Sequence, residues 1–528
     1  MMKGINMRHV MREKKRRAVT ASVLGVAAMM VIAGTISGDS QPLLPQRNVV
    51  PDGNFIPNGT PFSNPGGASQ TFSTVGGGID ETGPFFQSLG ANGRSCASCH
   101  QPSDGMGVAA ANVQARFNQS QGLDPIFRTN DGSNCNHDID VSTLQGRASA
   151  YSLLRTRGLI RIAIAVPAGA DYVVTSVKNP YACNETDVIS QYRRPLPTTN
   201  LPFLSTVMWD GRESSPATGT TKILFNNYPV SLQSDLAHQA LDATVGHAQG
   251  DGTRPTAAEQ QQIVNFEMAL FTAQAISQVH SPLNVGGFNG GPVPLATQPF
   301  FISINSSIHA LLANGPEQPG GLVTPGDGVF TSNIFNIFNG PPGFSQAQSF
   351  RASVTRGQTI FNTQPITITG VAGINDDISQ GGLVAGGIPS LTGTCGTCHD
   401  TPNVGNHSFP TPLNIGTGDF SPTNVSQNMG GLDVSYLPQI TVCQLVNGQP
   451  SNNCKTTTDL GQSLIDGQFA HVGKVKGPIL RGLSARAPYF HNGSAQSLLD
   501  VANFYNNRFG MGMSQQDIID LVNFLSLL

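Results

Sequence analysis

Charge is scarce in this chain. Only 12% of its 528 residues are charged, and the 29 Lys and Arg nearly balance the 32 Asp and Glu, for a formal net charge of −3. A surface of that kind has no electrostatic footprint for nucleic acid, which excludes that class of partner. Tryptophan occurs once, at Trp209. Aromatic-rich low-complexity sequence is also missing, so composition specifies no polymer-binding surface. Glycine and proline are plentiful at 60 and 36 residues, the mark of long connections. A hydrophobic content of 38% still supports real cores, and the length suits two or three domains rather than one.

The N-terminus reads as an export segment over residues 1–38. Arg8, Arg12, Lys14, Lys15, Arg16 and Arg17 form a basic region, an apolar run follows from Ala18 to Ile36, and Ser37, Gly38, Asp39 and Ser40 are small or polar. The run is either cleaved or kept as an anchor. Both outcomes put the body of the chain in the periplasm or outside the cell. No cysteine closes the run, which argues against lipoprotein attachment.

Of the eight cysteines, four stand in two C-x-x-C-H motifs: Cys96, Cys99 and His100, then Cys395, Cys398 and His399. This spacing suits covalent haem. Two thiols on one turn reach the two vinyl groups of a single porphyrin, and the next residue brings an imidazole under the iron. A thioredoxin-like redox pair is the rival for one motif, but neither sits in a βαβ pattern. A zinc site would leave the following histidine unexplained twice. Two covalently bound haem c groups are therefore expected. Cys443 and Cys454 bracket Asn447-Gly448-Gln449-Pro450, as a hairpin disulfide would, and Cys135 and Cys183 form a weaker candidate pair.

Helix signals surround the motifs. Thr256-x-x-Glu259 is a capping box opening a helix with Ile263, Phe266, Leu270 and Ala273 on one face. Ser514-x-x-Asp517 opens a terminal helix with Ile518, Leu521, Val522 and Leu525 inward. Strand signals are short, at Ile366 to Ile368 and Tyr172 to Thr175. The fold class expected is mainly α: two cytochrome c-like haem domains, at 50–280 and 346–528, with long loops and a few short β-hairpins. A Gly/Pro-rich connection at 281–345 joins them.

Three further stretches carry a family resemblance. Ala487-Pro488-Tyr489-Phe490-His491-Asn492-Gly493-Ser494 follows Leu480-Arg481-Gly482-Leu483, Trp209-Asp210-Gly211-Arg212 lies between the haem motifs, and Leu521-Val522-Asn523-Phe524-Leu525 closes the chain. In this order they resemble the bacterial diheme cytochrome c peroxidase superfamily, which includes the MauG-type enzymes and, more distantly, the rubber oxygenases. The resemblance implies that the haem on His100 reacts with hydrogen peroxide while the haem on His399 feeds it electrons, with Trp209 as relay. Gln239 matches the family's distal glutamine. The family's distal glutamate motif is absent, and His247 falls nearest to it, as an acid–base group or an iron ligand. For the sixth ligand of the second haem, Tyr505 stands fourteen residues after His491 and matches the MauG-type tyrosine. His491 is its competitor, and Met429, Met511 and Met513 rank lower. Asn200, Arg486 and Pro488 match positions that hold Ca²⁺ in the family.

Three functions follow as expectations. The first is peroxide reduction with electrons from a small cytochrome or cupredoxin. The second is oxidation of an organic or protein substrate using peroxide or O₂, and the third is electron carriage alone. A homodimer is among the assemblies the family allows.

Overall fold

The capping boxes read from the sequence are built as expected. Thr256 accepts a bond from the Glu259 backbone N–H and starts the helix Ala257–Ala269, while the Glu259 carboxylate returns to the Thr256 N–H at 2.8 Å. Ser514 does the same with Asp517 to open Gln515–Leu525, which buries Ile518, Leu521, Phe524 and Leu525. The first helix is shorter than its apolar periodicity suggests. At Leu270 the chain becomes extended, and Leu270–Ser277 pairs antiparallel with Gly67–Ser73. Leu270 and Ala273 are buried, but from a strand, because partner pairing overrides a marginal helical pattern at the end of a helix.

These elements belong to a computed structural model that describes residues 54–135, 139–204, 206–214, 231–279, 281–285, 289–298, 346–376, 389–399, 404–405, 412–420 and 432–528. The export segment, most of the 281–345 connection and Met429 lie outside the described residues. From Asn48 to Leu528 the chain packs as one compact unit. Among the described residues, twelve strands form five small sheets beside the helices. The sheet content therefore exceeds the few short hairpins expected of a mainly α fold. Most of the excess comes from pairings distant in sequence, which local alternation does not announce.

One such sheet spans the two motif-bearing halves. Tyr172–Lys178 pairs with Gln439–Val446, which in turn pairs with Gln449–Thr457. The last two strands form a hairpin whose turn residues, Asn447 and Gly448, have φ of 52° and 75°. Two left-handed residues in succession are what a tight two-residue hairpin turn requires. Across that hairpin Cys443 and Cys454 are disulfide-bonded. Cys135 and Cys183 carry free thiols that interact with each other.

Apolar cores hold both C-x-x-C-H motifs in place. Cys96 packs against a core containing Phe62, Ile79, Phe85, Met106 and Ile263. Cys395 and Cys398 pack against another containing Val354, Phe361, Ile368, Leu521 and Phe524. In the second core, the helices Gln346–Thr363 and Gln515–Leu525 touch at Gly357. A Cβ there would lie 1.9 Å from the Asp520 carbonyl oxygen, so only glycine allows the contact.

A buried ion network ties the halves together. Arg193 is fully buried and donates through Nε and Nη2 to Asp459 at 2.6 and 2.8 Å. Its Nη1 pairs with Asp210, which also accepts from Arg212 at 2.9 Å. Burial alone would raise the Asp210 carboxyl, but Arg212 and Arg193 hold it down at about 2.

Removing one partner of such a network leaves an uncompensated buried charge, which costs about 3–5 kcal/mol. Arg193→Met is expected to lose stability on that scale in urea unfolding of the holoprotein. Because the Asp210 pKa is depressed on folding, its contribution is present above the ordinary carboxylate range. It is lost as pH falls toward about 2. The wild type should therefore lose stability over that acid window, and an Asp210→Asn variant should show a flatter profile there.

Candidate haem pockets and the wall between them

Each C-x-x-C-H motif forms one tight turn. Cys96–Ser98 is a 3₁₀ turn and Cys395–Cys398 a single α turn. In both, the histidine N–H returns to the first cysteine's carbonyl, at 3.0 Å for His100 and 2.9 Å for His399. Both turns are also opened by paired hydroxyl residues, Ser95 with Ser98 and Thr394 with Thr397. The repeated geometry turns two thiols and an imidazole toward one space each.

Those spaces are cavities. The first, about 1380 Å³ of empty volume partly open to solvent, is lined by Cys96, Cys99 and His100. The second, about 1750 Å³, is lined by Cys395, Cys398 and His399. The walls are mostly apolar, as a porphyrin face requires. Burial lowers the pKa of both histidines to about 4, so each imidazole is neutral at ordinary pH, the state that ligates iron. Burial likewise pushes the Cys96 and Cys395 thiols up to about 12.

The carbonyls that face the imidazoles come from matching left-handed positions. His100 Nδ1 lies 3.3 Å from the Met106 carbonyl oxygen. The Val404 carbonyl faces the His399 ring and favours its protonated form, although Nδ1 itself is outside hydrogen-bond geometry. Met106 and Val404 are both fully buried, with φ of 57° and 58°. A left-handed β-branched residue is costly and persists only where packing enforces it. Asp104 supports the first loop by accepting from the Ala109 N–H at 2.8 Å.

The two cavities share a wall. Trp209 lines both, together with Arg194 through Pro197 and Lys476. The indole Nε1–H donates to the Arg194 carbonyl at 2.7 Å, and the ring lies 6.0 Å from that of His491. Gln239 and His247 line the first cavity. His247 Nδ1 sits 3.0 Å from Asp131, and Asp131 also pairs with Arg94.

No family model matches the sequence. A curated relative is cytochrome-c peroxidase IdrP2 of Denitromonas iodatirespirans, 34% identical over 125 residues, which are 23% of this chain and 30% of that protein. The chain thus matches less than a third of that relative's length. Over those residues the chain is similar to a cytochrome-c peroxidase. Two solved structures overlap it loosely. A Kuenenia stuttgartiensis hydrazine synthase reaches a TM-score of 0.27 at 14% identity, covering 80% of this chain and 93% of its own. The diheme peroxidase BthA of Burkholderia thailandensis, in a variant with one tyrosine replaced by methionine, reaches 0.26 at 13% identity, covering 84% and 83%. Such scores carry no argument about the fold.

The remaining positions singled out in the sequence fall as follows. Tyr505 and His491 both line the second cavity. Tyr505 stands 6.5 Å from the His399 ring, centroid to centroid, and burial pushes its phenol well above the ordinary range. His491 instead lies beside Trp209, with Nε2 3.8 Å from Asp459. Met511 and Met513 are buried in the C-terminal core. The calcium set does not fit a cation. The Asn200 amide is committed to Thr272, donating to its carbonyl at 2.9 Å and accepting from its N–H at 3.1 Å. The Arg486 carbonyl accepts the Arg194 guanidinium at 2.7 Å, which puts a positive charge where a dication would have to sit.

One acidic group in the first cavity escaped the sequence reading. Glu267 is 3% exposed, and its Oε2 has no partner among the described residues. Burial raises its pKa to about 8, and it lies close enough to Cys96 to raise that thiol as well. Its helical position marks it only as a polar residue on an amphipathic helix.

For a carboxyl with a raised folded-state pKa, the linked stability is complete below about 4.5 and is lost as pH rises through about 8. Glu267→Gln should therefore gain on the wild type across that window, by ~1.4 kcal/mol per pH unit at most. Thermal melts of the holoproteins from pH 5 to 9 measure this. A pH-independent difference between the two would contradict it.

Proposed function

We propose that the chain is an exported diheme c-type cytochrome that reduces hydrogen peroxide in the Cys96/Cys99/His100 pocket. Electrons arrive through the Cys395/Cys398/His399 pocket from a small cytochrome or cupredoxin. The observation that carries this reading is the shared wall, with the sole tryptophan lining both cavities. Bound haem would supply redox-active iron in each pocket.

The protein's own groups suit that chemistry. His100, neutral and turned toward Met106, is the iron-binding imidazole of the first pocket. Peroxide cleavage needs a proton taken from one oxygen and delivered to the leaving one. With Nδ1 engaged by Asp131, His247 has Nε2 left to accept that proton. Glu267, unpartnered and facing the same space, can hold or release one near neutrality. Gln239 offers an amide to orient the substrate. Trp209 provides a polarizable ring between the pockets, fixed in place by its bond to Arg194.

A second reading has its own observation. The Tyr505 ring lies 6.5 Å from that of His399, centroid to centroid. A phenol oxygen on the second iron would lower its potential and suit a MauG-like or rubber-oxygenase-like oxidation of an organic or protein substrate. Tyr505 packs against the His399 ring, whereas His491 packs against Trp209, which favours Tyr505 as sixth ligand.

The test is an electron paramagnetic resonance spectrum of the ferric protein, before and after stoichiometric peroxide. Peroxide reduction requires a high-spin signal beside a low-spin one, with the high-spin signal converted by peroxide. Two low-spin signals indifferent to peroxide, even after partial reduction, would leave an electron carrier. For the relay, Trp209→Phe should slow electron transfer between the pockets at least tenfold, with two haems still bound. An unchanged rate in flash or stopped-flow reduction would reduce Trp209 to a packing residue.

A further inference from the structure

The cationic side chains that line the two cavities differ in what they are free to bind. Arg94, in the first cavity, is spent on Asp131 and on the Pro125 and Ile126 carbonyls, at 3.1 and 2.7 Å for the latter two. Arg194, in both, is spent on the carbonyls of Arg157, Val108 and Arg486. Arg486, in the second, turns back to the carbonyls of Gly482, Ile479 and Arg481.

Lys476 is different. It is 3% exposed and lines both cavities. Its Nζ donates to the Thr206 carbonyl at 2.8 Å, and no carboxylate among the described residues pairs with it. An ammonium has three donors, so two remain for a ligand. Its backbone N–H holds the Trp209 carbonyl, also at 2.8 Å. Lys476 thus clamps the 206–209 strap at both ends, and that strap carries the tryptophan.

We propose that Lys476 is the buried cationic partner of a haem propionate at the wall between the pockets. In that position it sets the potential of that haem and ties the haem edge to the Trp209 strap. This rests on the diheme reading above. Each haem c brings two carboxylates, and a carboxylate taken into an apolar wall needs a charged donor. Conversely, burial without an anion pushes the Lys476 ammonium down to about 7, so a resident carboxylate is what keeps it charged. A positive charge beside a haem favours the reduced, less positive iron. Lys476 is a positioning residue in this scheme and touches no substrate.

The experiment is spectropotentiometry of holoproteins carrying Lys476→Met and Lys476→Arg, with haem content measured first. The Met variant should lower the midpoint potential of one haem distinctly more than that of the other, and the Arg variant should keep most of the wild-type value. Two haems per chain with both potentials unchanged in Lys476→Met would overturn the propionate pairing and leave only a backbone clamp. Fewer than two haems in the wild type would instead sink the diheme reading itself. Should the Met variant not fold, resonance Raman of the wild type decides. A propionate bending band that shifts on exchange into deuterated water supports the pair, and an unmoved band refutes it.

Discussion

Arg193 is the constraint on which the rest depends. It sits fully buried between Asp210, one residue after Trp209, and Asp459, just past the end of the Gln449–Thr457 strand. Two carboxylates around one guanidinium satisfy charges that burial would otherwise make very costly. The geometry has a consequence beyond stability. Asp210 is locked from one side by Arg193 and from the other by Arg212. The tryptophan next to it is therefore held at the place where two cavities meet. Asp459 in turn lies 3.8 Å from His491, whose ring packs edge-on to that tryptophan. One buried cation thus registers the first half of the chain against the second and fixes the wall between them.

Around that tie the molecule repeats itself. Each motif turn is opened by a hydroxyl pair and places a neutral imidazole against a buried, left-handed residue. The pockets then diverge in their polar lining. The first gathers Gln239, His247 and Glu267, groups able to orient a small polar substrate and move its protons. The second has Tyr505 and His491, groups suited to closing a coordination sphere. A reactive site and an electron-storing site differ in this same respect: one must stay open to solvent-borne substrate, and the other gains from a filled sphere.

How much of this is legible in the sequence depends on whether a signal is local. The two C-x-x-C-H turns, the capping boxes at Thr256 and Ser514 and the Cys443–Cys454 hairpin are set by residues within a few positions of each other. Local signals carry local structure. The apolar periodicity runs past the end of the helix at Ala269, because what extends Leu270 is pairing with Gly67–Ser73, distant in the chain. Family analogy also misleads where tertiary partners differ. The Asn200 amide and the Arg486 carbonyl are taken by Thr272 and Arg194, so the positions that match a calcium site are already filled.

The sequence by itself determined the two C-x-x-C-H turns on which the proposed haem chemistry rests. Thiol and imidazole spacing on one turn is a covalent fact that no packing can alter. It also pointed to Trp209, Gln239, His247 and Tyr505 as residues facing the pockets. Only the tertiary structure decided which charges are satisfied and which are left over. Glu267 and Lys476 look like ordinary polar residues in the chain, and they become significant because folding buries them beside the pockets. Glu267 is left with an unpaired oxygen, and Lys476 with donors to spare. Burial is a property of distant neighbours, and the strength of a charge depends on what surrounds it. That is why the reactive balance of these pockets could not be read from the order of residues alone.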